Sequence, residues 1–123
     1  MVKIAIIEDD ATISQMYRMK FEADGFDVRL ASNGTIGVAL VESFRPDVIL
    51  LDIQMPEMNG AEALRRIRSH AWGKTIPVIV LTNLGEEEAP REMRSLGIQG
   101  YIVKANLTPR QVVAQVKSVI TKP

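Results

Sequence analysis

Val48-Ile49-Leu50-Leu51-Asp52-Ile53-Gln54-Met55-Pro56-Glu57-Met58-Asn59-Gly60 is the stretch that decides how this chain folds. It opens with four apolar residues and no polar alternation, the pattern of a strand covered on both faces. A carboxylate, Asp52, stands where the apolar run stops. Asn59-Gly60 is most simply the turn before the next helix.

The same pattern recurs outward in both directions. Ile4 to Ile7, Val28 to Ala31, Val78 to Leu81 and Tyr101 to Val103 are further short apolar runs rich in β-branched residues. Between them lie amphipathic stretches. Ile13, Met16, Tyr17 and Phe21 predict a helix over about 12–24, closed by Gly25. Ile36, Ala39, Leu40 and Phe44 predict a second, stopped by Pro46; Ala61, Leu64, Ile67 and Arg68 predict a third. Met93 and Leu96 sit in a fourth, which Pro90 and Gly97 keep short, with Glu86-Glu87-Glu88 ahead of it. Thr108-Pro109 caps a fifth whose inner face is Val112, Val113, Val116, Val119 and Ile120, and Lys122-Pro123 follows it. A strand followed by a helix, five times over, predicts an α/β fold: a doubly wound five-stranded parallel sheet with right-handed crossovers and five helices. Residues 1–123 are expected to form one domain.

Composition narrows the function. The 123 residues carry 15 basic and 15 acidic side chains, so neutrality argues against direct nucleic-acid binding or a charged membrane surface. The charge is divided, however: residues 1–61 hold 10 acids and 5 bases, residues 62–123 hold 5 and 10. There is no Cys and one His, which excludes disulfides, thiolate metal sites and cysteine nucleophiles. Apolar runs are too short for a bilayer span or a signal-peptide core, so a cytoplasmic location is expected.

In doubly wound sheets, function gathers at the carboxyl ends of the strands. Here those ends carry Glu8-Asp9-Asp10, Asp52, Thr82-Asn83 and Lys104. Taken alone, Asp10 reads as a helix N-cap, Thr82 as a strand-end residue and Lys104 as a surface lysine. Together, converging carboxylates repel one another and call for a cation. Oxygen-only ligands favour a hard ion such as Mg²⁺. Thr82 and Lys104 then suit a phosphate, which points to phosphoryl transfer by positioning and charge neutralisation.

The whole set resembles the receiver domain of two-component response regulators, from Lys3 to about Thr121. The acidic pair Glu8-Asp9, Asp52 within its quoted segment, Thr82 and Lys104 carry the resemblance in order and spacing. The family implies a flavodoxin-like strand order 2-1-3-4-5. It implies Asp52 as the nucleophile that takes a phosphoryl group from a sensor histidine kinase or phosphotransfer protein. Asp9, Asp52 and the carbonyl of Gln54 would hold Mg²⁺, with Glu8 acting through bound water. Lys104, Thr82 and the Asn83 N–H would meet the phosphoryl oxygens. Thr82 and Tyr101 would form the switch, and helix four, strand five and helix five the output surface for an effector protein or fused output domain. Such a chain is a signalling switch and not a metabolic enzyme. It is expected as a monomer, with dimerisation on phosphorylation an open alternative.

Two departures stand out. Lys104 is followed by Ala105 where the family usually has a cis proline, so this bond is expected to be trans. Asn83 replaces a small residue and is expected to slow loss of the phosphoryl group. His70 reads as a helix-terminal surface residue, Arg65, Arg66 and Arg68 as a solvated face, and Met16, Met19, Met55, Met58 and Met93 as packing and loop anchors. The alternative function is a phosphorylation-independent interaction module of the same fold. An aspartyl phosphatase fits poorly because Gln54 occupies the usual general-acid position, and a flavin module would need a phosphate loop where this chain has carboxylates.

Overall fold

The computed structural model describes residues 1–121; Lys122 and Pro123 lie outside the described residues. Five strands, β1 (Lys3–Ile7), β2 (Asp27–Ala31), β3 (Val48–Leu51), β4 (Val78–Thr82) and β5 (Gly100–Val103), form one parallel sheet in the order β2-β1-β3-β4-β5. Helices α1 (Ala11–Ala23), α2 (Gly34–Phe44), α3 (Gly60–Arg68), α4 (Arg91–Leu96) and α5 (Pro109–Ile120) connect and follow them. Single 3₁₀ turns lie at Ala71–Gly73, Glu86–Glu88 and Lys104–Asn106.

The central position of β3 follows from its sequence. Val48 to Leu51 pair with Ile4 to Ile7 on one side, and Ile49 to Leu51 pair with Val78 to Val80 on the other. Period-two alternation then divides the apolar residues between two cores. Ile4, Ile6, Val48 and Leu50 face α1 and α5, meeting Phe21, Val112 and Val116. Ala5, Ile7, Ile49 and Leu51 face the other three helices, meeting Val41, Leu64, Ile67 and Met93.

Four helices carry their own start signals. Asp10 Oδ1 accepts from Ile13 N at 3.0 Å, Asn33 Oδ1 from Ile36 N at 2.8 Å, and Asn59 Oδ1 from Glu62 N at 3.0 Å. Thr108 and Gln111 form a reciprocal capping box at α5. These bonds satisfy N–H groups that the helix itself leaves unpaired. For α4 no side chain caps Pro90.

Several expectations change. Ile36 is 48% exposed and Ala39 is also outside; α2 instead packs through Gly34, Gly37 and Val41. The reason is close approach: a Cβ on Gly37 would lie 2.7 Å from Ile7 Cδ1. Met16 and Met19 are exposed because Ser14, Tyr17 and Phe21 form the inner face of α1, while Met93 is buried as expected. Arg68 is half-buried and does not belong to a solvated face.

Candidate phosphoryl-acceptor site

The sheet brings residues far apart in sequence to one edge. Glu8 follows β1, and its backbone N–H donates to the carbonyl of Ala31 at 3.0 Å. Asp52 follows β3, and its N–H donates to the Ile7 carbonyl at 3.0 Å. Both carboxylates are therefore fixed by continuing the sheet ladder one residue beyond the strands. Glu8, Asp9 and Asp52 each offer an oxygen within 4.8 Å of the others; Glu8 and Asp52 are buried and Asp9 is exposed.

Lys104 reaches this cluster from the far side of the sheet. Its Nζ donates to Glu8 Oε1 and, at 3.2 Å, to Asp52 Oδ2. Glu8 Oε2 accepts from Asp10 N at 3.0 Å, and Asp52 Oδ1 accepts from Gln54 N at 3.2 Å. Burial raises the Glu8 carboxyl to about 7, and the nearby Asp52 charge adds to this; the Asp10 N–H and Lys104 oppose it. Burial works against the Lys104 ammonium, but Glu8 and Asp52 outweigh it and hold its pKa above the ordinary lysine value. The donors available to a metal are all oxygens, which fits a hard divalent cation and excludes a soft one.

Thr82 ends β4 and is fully buried, its Oγ1 accepting from Leu84 N at 3.4 Å. The Tyr101 hydroxyl, on β5, donates to the Leu84 carbonyl at 3.0 Å, with the Gly85 carbonyl at 3.2 Å. Tyr101 thus touches the loop that Thr82 begins. Burial raises its pKa, helped by Glu86, Glu88 and Glu87. Asn83 is exposed beside Thr82. No described peptide bond is cis, so Lys104–Ala105 is trans and enters a 3₁₀ turn.

Residues 4–117 match the response regulator receiver domain. The chain belongs to the response regulator receiver family. This receiver is 32% identical over 120 residues to the phosphate regulon transcriptional regulatory protein PhoB of Rhizobium meliloti, covering 98% of this chain and 52% of that protein. It is 35% identical over 120 residues to the transcriptional regulatory protein SrrA of Staphylococcus aureus, covering 98% and 48%. The chain therefore spans about half the length of these curated relatives. Among solved structures it resembles the chemotaxis protein CheY4 of Vibrio cholerae, with a TM-score of 0.89 and 28% identity over 97% of this chain and 98% of that one. Receivers of this family act as phosphorylation-controlled signalling switches in two-component systems. No helix among the described residues is long and apolar enough to cross a membrane.

The sequence pointed to Glu8, Asp9, Asp52 and Lys104, and the fold gathers them. Thr82, Gln54 and Tyr101 flank them at the same sheet edge. Asp10 is the N-cap of α1, as expected. His70 is exposed and stacks on Trp72, with centroids 4.9 Å apart and planes 8° from parallel. Sequence reasoning missed Arg68, whose guanidinium donates to four backbone carbonyls: Gly73, Ile76, Leu96 and Gly97. Backbone acceptors leave no side-chain signal that could have found it.

Proposed function

We propose that residues 1–123 form one receiver domain in which Asp52 accepts a phosphoryl group from the phosphohistidine of a sensor kinase or phosphotransfer protein. The observation that carries this is the cluster of Glu8, Asp9 and Asp52 within 4.8 Å, with Lys104 Nζ 3.2 Å from Asp52. A carboxylate oxygen of Asp52 attacks phosphorus as the P–N bond to the imidazole breaks. The electron pair leaves with that nitrogen, which takes up a proton. Hydrolysis reverses the charge: water attacks phosphorus, the P–O bond to Asp52 breaks, and the carboxylate and inorganic phosphate are released.

Lys104 stands where it can hold negative charge that develops on the phosphoryl oxygens. Thr82 Oγ1 and the Asn83 N–H are placed to donate to another. Asp9, Asp52 and the Gln54 carbonyl would hold Mg²⁺, with Glu8 acting through water. Bound there, the ion neutralises charge on the transferred group. The new group adds nearly two negative charges and three acceptors. Thr82 shifts toward it, the loop at Leu84 and Gly85 follows, and Tyr101 loses or changes its hydrogen bonds. The surface of α4, β5 and α5 then differs for a cytoplasmic effector or a fused output domain.

The test is phosphoryl labelling by a small acyl phosphate with Mg²⁺. Wild type labels, Asp52→Ala does not, and a chelator abolishes labelling. Equal labelling of Asp52→Ala sinks the assignment. A wild type that never labels yet still binds its partner favours the phosphorylation-independent module.

A further inference from the structure

Helix α4 does not hold itself in place. It has six residues, one fully buried side chain (Met93) and no side-chain N-cap. Polar contacts from α3 supply what it lacks. Arg65 Nη2 donates to both oxygens of Glu92, at 2.9 and 3.0 Å, and its Nε lies 3.2 Å from one of them. Arg68 Nε donates to the Leu96 carbonyl at 3.0 Å and Nη2 to the Gly97 carbonyl at 2.9 Å, closing the other end. The two arginines therefore grip α4 at its second residue and at its last.

The opposite end of α3 rests on the acceptor residue. Gly60 opens α3 so close to Asp52 that a Cβ there would lie 2.2 Å from the Asp52 carbonyl oxygen. Its N–H donates to the Ile53 carbonyl at 2.9 Å. Between these ends runs one continuous helix whose Leu64 and Ile67 are fully buried. A shift of the Asp52 backbone thus meets α3 without an intervening gap, and rigid packed elements pass displacement on.

We propose that α3 is a second lever from Asp52 to α4, working through the Arg65–Glu92 and Arg68–carbonyl contacts. It rests on the phosphoryl-switch function above and is separate from the route through Thr82 and Tyr101. Arg65 and Arg68 are positioning residues that set where α4 lies before and after phosphorylation.

The experiment compares amide exchange and amide chemical shifts in wild type, Arg65→Ala, Glu92→Gln and the double variant, with and without beryllofluoride plus Mg²⁺. Without the mimic, each single variant speeds exchange at Met93, Arg94, Ser95 and Leu96 about two- to fivefold, the range for one exposed ion pair. Val112 to Val116 of α5 keep their rates. Arg65 also pairs with Glu62 on its own helix, so Glu92→Gln isolates the cross-helix contact, and the double variant goes no further than either single one. Arg68→Lys, which cannot span four carbonyls, has a larger effect at Leu96. With the mimic, the α3 shifts persist in Arg65→Ala while the α4 shifts shrink. Unchanged α4 exchange in both Arg65→Ala and Glu92→Gln, or full-sized α4 shifts in both, overturns the lever. A wild type whose Asp52, Thr82 and Lys104 amides ignore the mimic overturns the phosphoryl switch instead, and metal-free exchange still decides the arginine grip.

Discussion

Every side chain of β3, from Val48 to Leu51, lies within 1% of complete burial, whereas α4 has a single such residue, Met93. β3 is also paired along both edges. Its contribution comes from apolar area and a ladder that no single contact dominates. The place of α4 comes from a few charged and carbonyl contacts, each replaceable by water at small cost. The difference matches two duties. Asp52 must stay where its partners can meet it, and the surface that reports its state must move.

Truncation offers the hardest blow to that contrast. Leu50→Ala should lower global stability by about 3 kcal/mol, within the range for buried leucines. Met93→Ala should cost about 2 kcal/mol, at the low end for its type, because a short helix can settle into the space. Urea unfolding measures both, and amide exchange shows where the loss falls. Equal global losses, with no added opening of α4 in Met93→Ala, would break the comparison.

A smaller effect tests the charge held at the end of β1 and β3. A Glu8 carboxyl near 7, against an ordinary 4.5, means that the folded chain keeps a proton that the unfolded chain releases. Stability without metal therefore falls as pH rises between about 4.5 and about 7. Glu8→Gln should flatten that slope, and Mg²⁺ should weaken it by favouring the ionised form. Unfolding midpoints across that window give the answer. A slope unchanged in Glu8→Gln assigns the titration to another group.

The smallest expected change probes the loop after β3. Glu57 has φ +66°, a conformation costly for residues with a Cβ. Such strain survives only where the surroundings fix the chain. Glu57→Gly should raise stability by about 0.5 kcal/mol, the relieved strain slightly exceeding the added freedom of the unfolded chain. A clear loss of stability would mean that the Glu57–Asn33 contact at 3.5 Å matters more than the backbone.

Much of this was legible in the residues. The bounds of β3 agree to the residue, because an unbroken apolar run next to Asp52 has one interpretation. The N-caps Asp10 and Thr108, the short α4 after Pro90, and the gathering of Glu8, Asp9, Asp52 and Lys104 also follow from pattern. The inner face of α2 did not, since glycine packs by being absent and contributes nothing to hydrophobic periodicity. The Glu92 partner of Arg65 lies 27 positions away, and only the packing of α3 on α4 makes them neighbours. The shared hold of Lys104 on Glu8 and Asp52 likewise fixes a charge balance that spacing alone cannot state.

The strand order has one more consequence, for behaviour in concentrated solution. With β1, β3 and β4 enclosed, only β2 and β5 could template a strand from another molecule. β2 turns Arg29 outward in its middle, and β5 is four residues long, opened by Gly100 and closed by Lys104. Short, charged margins of this kind discourage edge-to-edge aggregation, so the sheet that fixes Asp52 also resists growing beyond its own five strands.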